Sequence, residues 1–194
     1  EADDGEGDDL FQMIWLGGFQ NGRPATAVRD ESVGLRGEGD GIWAKAIALE
    51  QGDTRIGIVS VDLVGYFYDE VEAIRADATV VAADYDYIIV SSTHDHESPD
   101  MMGIWGPNII TTGYDPDYAA QVRATIAEAL VEASETLTDV TLTVGKADVG
   151  SYDAEKGVAN VIRDSRDPWV IEPWIYAARF ADVDDNTVVT LVNW

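Results

Sequence analysis

Residues 55–62, Arg55-Ile-Gly-Ile-Val-Ser-Val-Asp62, settle what kind of fold this chain forms. Ile56, Ile58, Val59 and Val61 leave little polar–apolar alternation, the pattern of a strand covered on both faces, and Asp62 stands where that strand ends. Upstream, Ile42–Leu49 is a second strand, joined through the turn signal Glu50-Gln-Gly-Asp-Thr54, so the two predict a hairpin. Downstream, Val71 and Ile74 set against Glu72 and Arg75 predict a helix near Asp69–Ala78, and Tyr87–Val90 a further buried strand. Asp115-Pro116 is a helix start, with Asp as N-cap and Pro at the first helical position. Tyr118, Val122, Ile126 and Leu130 recur every four residues and carry an amphipathic helix to about Leu137. Val140–Val144, Ile175–Phe180 and Thr187–Asn193 complete the strands, the last two as a hairpin about the turn Asp182–Asn186. The order implies an α/β chain with a mixed, largely buried sheet, flanking helices and long active-site loops.

Composition narrows the function classes. The 194 residues carry 12 Lys+Arg against 37 Asp+Glu, a formal net charge of −25. That field repels phosphate backbones and anionic lipid, which argues against nucleic-acid binding and charge-driven membrane binding. No apolar run approaches the roughly 18 residues of a membrane-spanning helix. With no cysteine, disulfides, zinc fingers, iron–sulfur clusters and thiol catalysis are excluded. Aspartate dominates the acids, and Lys45, Lys146 and Lys156 are the only lysines, a balance like that of proteins from high-salt organisms. In about 1 M salt the Debye length falls to about 3 Å, so the carboxylates stop repelling one another. Residues 1–9 read as a mobile acidic end, and residues 10–194 as one portion of a domain. Asp30–Gly41, with four glycines, and residues 148–174 read as long polar loops. The sequence begins with Glu1 and stops at Trp194, directly after an apolar strand, so the expectation is an incomplete domain cut from a longer chain.

The chemistry concentrates in Ser91-Ser-Thr-His-Asp-His-Glu-Ser-Pro-Asp100, which holds both histidines of the chain. Ligands of α/β sheets bind at the carboxyl ends of strands, and a His-x-His pair leaving a strand sends both imidazoles to one side. Neutral imidazole is a zinc ligand, but two histidines make only part of a zinc site; the other reading is a hydrogen-bonded structural pair. Asp62, at a neighbouring strand end, and Asp95 and Asp100 are candidate supporting groups, with solvated acidic surface as their alternative. Arg163 and Arg166 suit a carboxylate, carbonyl or oxyanion, or else an ion pair with Asp164 or Asp167. Trp105, Trp169 and Trp174 lie in the same loops, as pocket walls or as packing. A serine hydrolase is weakly signalled: Ser91, Ser92 and Ser98 adjoin the histidines, but there is no Gly-x-Ser-x-Gly elbow.

Four stretches, in order, resemble one family. Ile42-Trp-Ala-Lys-Ala-Ile-Ala-Leu49 with Ile58-Val-Ser-Val-Asp-Leu-Val-Gly65, then Ile89-Val-Ser-Ser-Thr-His-Asp-His-Glu-Ser-Pro-Asp100, Ser165-Arg-Asp-Pro168 and Thr190-Leu-Val-Asn-Trp194 resemble segments of the neutral/alkaline non-lysosomal ceramidases, on the microbial ceramidase-like branch. The resemblance covers about residues 14–194. It implies a zinc amidohydrolase acting on a small-molecule or lipid amide such as an N-acylsphingosine, secreted or at the cell surface. By resemblance His94 is a zinc ligand, His96 a second active-site imidazole and Arg166 the site arginine. The remaining zinc ligands would fall beyond residue 194, so the rest of its own chain is the implied partner and this portion alone would be inactive. Asp95 and Glu97-Ser98 depart from the family's Thr and Ser-Gly, placing negative charge beside the metal. Two other readings stay open: a non-catalytic, salt-adapted binding domain with a structural histidine pair, and a metal hydrolase of another ester or amide.

One expectation follows from charge alone. Far-UV circular dichroism should show the fold loosening as salt is withdrawn; full secondary structure at low ionic strength would overturn the salt-adapted reading.

Overall fold

The computed structural model describes residues 14–25, 42–152, 157–162 and 164–194. The expectations for residues 1–9 and 30–41, and for Arg163, lie outside the described residues. The chain divides into two compact units, Glu1–Leu137 and Thr138–Trp194, taken here in turn.

In the first unit, β1 (Ala44–Gln51) and β2 (Thr54–Val61) form the expected antiparallel hairpin. The turn holds Gly52 at φ +61, a left-handed conformation that costs glycine little. β3 (Tyr87–Ser92) pairs parallel to β2, with Val59 opposite Val90, so β2 is the central strand of a mixed sheet. Gly57, Val59 and Val61 alternate onto one buried face. Leu63, Ile74, Val80, Ile126 and Leu130 join Val59 in the core.

The helix expected near Asp69–Ala78 is two. α1 (Tyr68–Arg75) ends at Ala76, and α2 (Ala78–Ala82) restarts after Asp77, whose carboxylate accepts both the N–H and the Oγ1–H of Thr79. Asp77, inside the span expected to be one helix, is an N-cap. α3 (Pro116–Glu135) starts as expected, with Asp115 accepting from the N–H groups of Asp117 and Tyr118. Its stripe also forms: Ile126 and Leu130 are buried, Tyr118 and Val122 partly so, and burial raises the Tyr118 phenol to about 12. Leu130 sits so close over β2 that a Cβ on Gly57 would lie 2.7 Å from its Cδ2. Buried Glu70 ties α1 to α3, accepting from the Tyr114 hydroxyl at 2.7 Å and from Arg123 at 2.6 Å.

In the second unit, β4 (Thr141–Asp148), β5 (Trp174–Ala181) and β6 (Thr187–Asn193) form an antiparallel sheet in that order. The α/β class stands, but the single sheet expected from the sequence is two three-stranded sheets, and every residue of β4 is exposed. β4 also runs past Val144, because backbone pairing continues to Asp148 opposite Trp174 after the apolar signal has stopped. An antiparallel ladder is held by its backbone bonds and can leave side chains in water. Two short 3-10 turns, Val149–Tyr152 and Gly157–Asn160, punctuate the polar loop between β4 and β5.

Leu130→Ala should cost about 2–5 kcal/mol in denaturant unfolding, as expected for a large core deletion. Val81→Ala, on the exposed side of α2, should stay within about 0.5 kcal/mol.

Candidate active site

The site grows from the end of the β2–β3 pair. Beyond the strands the parallel pairing is continued by loop backbone: Thr93 N–H donates to the Val61 carbonyl, and His94 N–H to that of Leu63. The chain then turns through His94 at φ +64. His94 Nδ1 lies 2.7 Å from the Val64 carbonyl oxygen. A carbonyl only accepts, so Nδ1 carries the proton and Nε2 presents a lone pair. His96 Nε2 stands 3.3 Å from His94 Nε2, the two rings edge to face at 73°. His96 Nδ1 is buried without a partner.

A strap over residues 14–25 closes one side. Trp15 bridges to Pro24 and Leu16 to Pro99; Gly17 N–H donates to the Ser98 carbonyl, and Gly22 N–H to that of Gly106. Gly18, at φ +80, lies so close to His96 that a Cβ there would overlap the imidazole. Phe19 meets the same ring edge to face at 4.5 Å. Arg23 donates through Nη1 to the carbonyls of His96 at 2.9 Å and Gly17 at 3.2 Å, pairs through Nη2 with Glu97 at 2.8 Å, and stacks over Phe19.

The other candidates fall into distinct places. Asp62 accepts from Trp43 N–H and from Thr93 Oγ1, both at 3.1 Å, and so braces the residue before His94. Asp95 accepts from Glu97 N–H, closing a local turn. Asp100 is 1% exposed, and its two oxygens accept from the N–H groups of Met102 and Trp105 at 2.9 Å each, so it organises the following loop. Ser98 is fully buried and donates to the Asp95 carbonyl, which removes it as a nucleophile. Thus the two histidines converge with Asp62 behind them, while Asp95 and Asp100 hold backbone. Among the described residues no group of three or more His, Asp or Glu side chains is placed to hold a metal ion.

Arg166 belongs to the second unit and makes the ion pair that the sequence left open. Its Nε and Nη2 engage Asp164 Oδ1 and Oδ2 at 2.8 and 2.6 Å. Those bonds, with the N–H groups of Arg166 and Val170, hold the Asp164 carboxyl well below the usual carboxylate range. Arg166 also lines an open concavity of about 530 Å³ with Ser165, Ile171, Glu172 and Trp194. Trp174 lies under the Lys146 ammonium at 4.0 Å, and Trp169 is exposed. Sequence reading missed Gly18, Phe19, Arg23 and the Val64 carbonyl; the Gly17-Gly18 pair was the one local sign of a close approach.

No family model matches the sequence, and no curated protein does. Solved structures do match. Neutral ceramidase from Pseudomonas aeruginosa superposes with a TM-score of 0.66 at 14% identity, over 93% of this chain and 29% of that one. The chain has a neutral ceramidase-like fold. A second structure, a ceramidase complexed with C2, superposes with a TM-score of 0.55 at 15% identity, over 78% of this chain and 25% of that one. The ceramidase-like fold here therefore spans less than a third of the length of either protein.

The Asp164–Arg166 pair gives a pH test. A depressed folded pKa means that the pair stabilises the native state above the unfolded value of about 3.9 and is lost as pH falls through the lower folded value. Carboxyl NMR should place the Asp164 midpoint below the ordinary aspartate range, and Arg166→Met should move it up.

Proposed function

We propose that this chain supplies part of the active site of a zinc-dependent amidohydrolase that cleaves an N-acyl amide. The observation that carries the reading is the pair of imidazole Nε2 atoms 3.3 Å apart, on the loop that leaves a parallel strand pair. With Nδ1 bonded to the Val64 carbonyl, His94 offers Nε2 to a zinc ion, and His96 Nε2 stands beside it, so the residues present fit one zinc ligand with a second imidazole next to it. The His94 Nδ1–H to carbonyl bond is the usual way a ligating histidine is oriented. The ceramidase-like fold supports the hydrolase class.

The anchoring separates the two roles. His94 has its tautomer set by Val64 and offers Nε2 as the metal ligand. His96 has no partner on Nδ1, and its Nε2–H faces the His94 Nε2 lone pair; it is assigned to the substrate, with Nε2–H turned to donate to the amide oxygen once the His94 lone pair is taken up by metal. Zinc held at His94 supplies Lewis acidity toward the carbonyl and toward water. Asp62 keeps Thr93 and hence the His94 backbone in register with β2. Arg166 is assigned to the developing oxyanion on the likeness of its loop, with Nε and Nη2 committed to Asp164 and Nη1 left as donor. His94 fills one position of a four-coordinate site. The proposal places the other ligands in polypeptide beyond these 194 residues, and the working medium in concentrated salt.

A structural histidine pair is the second reading, favoured by the absence of a third converging ligand among the described residues. Zinc analysis separates the two. In the intact protein, His94→Ala should lose zinc and N-acyl hydrolysis together, whereas His96→Ala should keep most of the zinc and lose rate. Equal zinc loss in both would make His96 a second ligand, and a wild-type protein purified without zinc would leave the structural pair.

A further inference from the structure

We infer that Arg23 is a positioning residue for the His96 imidazole. The inference rests on the reading of His96 as the imidazole that acts beside the metal ligand, but its geometry is independent of any metal. One guanidinium gathers main-chain carbonyls from two segments distant in sequence, Gly17 in the strap and His96 in the histidine loop, and ties Glu97 as well. The planar fork of arginine suits this task, because it presents several donors in fixed directions.

The consequence falls on the His96 ring. Its own Nδ1 makes no hydrogen bond, so nothing polar at that atom sets the ring's direction. Packing sets it, together with the Nε2 approach to His94. Gly18 leaves the space that the ring fills, and Phe19 presses edge-on at 4.5 Å. Both belong to the strap that Arg23 fastens, and Arg23 itself stacks over Phe19 at 5.1 Å. Loss of the guanidinium releases the strap from the His96 carbonyl and frees the ring to turn away from His94. His94 is fastened separately, through Leu63 and Val64, so it should stay in place. The arginine is 19% exposed, too covered to be a surface charge that evolution could place anywhere. In a chain with 12 basic residues against 37 acidic ones, one cation held among carbonyls is a specific choice.

The test uses Arg23→Met, which keeps the apolar stem, and Arg23→Lys, which keeps the charge without the fork. The intact protein, labelled at histidine, is read by NMR without metal, and by zinc content and N-acyl hydrolysis with it. Wild type should show cross-relaxation between the two imidazoles and between His96 and Phe19. In Arg23→Met both signals should vanish and kcat should fall on the order of 10²-fold, with KM and zinc content held within about twofold. Arg23→Lys should fall between, and added methylguanidinium should restore rate to Arg23→Met but not to His96→Ala. Unchanged cross-relaxation and kcat would overturn the inference. Zinc leaving together with rate would also overturn it, since Arg23 would then hold the whole loop, His94 included. If wild type binds no zinc and hydrolyses nothing, the functional reading fails and the cross-relaxation still judges Arg23. If Arg23→Met fails to fold, Arg23→Lys and Gly18→Ala take its place, the latter expected to displace the same ring without touching the arginine.

Discussion

The carbonyls that leave the end of β2 organise this molecule's chemistry. Those of Leu63 and Val64 lie past the strand's end, and that of Val61 takes only the Leu63 N–H from its own segment; buried backbone acceptors are costly to leave unpaired. The chain leaving β3 satisfies them, through the N–H groups of Thr93 and His94 and the ring of His94. Backbone bookkeeping thus places an imidazole at the mouth of the sheet and sets its tautomer in the same act. The parallel pairing of β2 with β3 is the precondition, since it brings the two strand ends out on the same side. That pairing in turn depends on the core that α3 lays over Gly57, Val59 and Val61.

The second imidazole is placed by different means. His96 is held by shape, by main-chain contacts at its carbonyl and by its Nε2 against His94, with no bond at Nδ1. Glycines make this possible. Gly18 admits the ring, and Gly106 and Gly113 let two loop backbones approach closer than any side chain would allow. The strap and the histidine loop are both rich in main-chain polar groups, and Arg23 collects several of them with one charge. A chain with net charge −25 has few cations to place, and two of them, Arg23 and Arg166, lie in the loops that carry the candidate chemistry.

The likeness to neutral ceramidase is one of fold, since identity is 14–15%. The two sheets differ in character. The mixed sheet carries its core on one face, whereas the antiparallel sheet leaves all of β4 exposed. Arg166 belongs to the latter unit, where Asp164 neutralises much of its charge and fixes its plane.

Period and caps were legible in the residues, because both are local. The β1–β2 hairpin, the start of α3 at Asp115-Pro116 and the Ile126–Leu130 face all follow from neighbours within a turn or two. The break between α1 and α2 was equally local, yet Asp77 was passed over because a cap looks like any exposed aspartate in a chain this acidic. The convergence of His94 with His96 was foreshadowed by their spacing, but the 3.3 Å separation was not, since it depends on a left-handed turn at His94 and on packing against Phe19. Which sheet each strand joins, and the fastening of Arg23 onto a loop 73 residues away, lay beyond the linear order. Such contacts come from how the backbone folds back on itself, and no period or short motif encodes them.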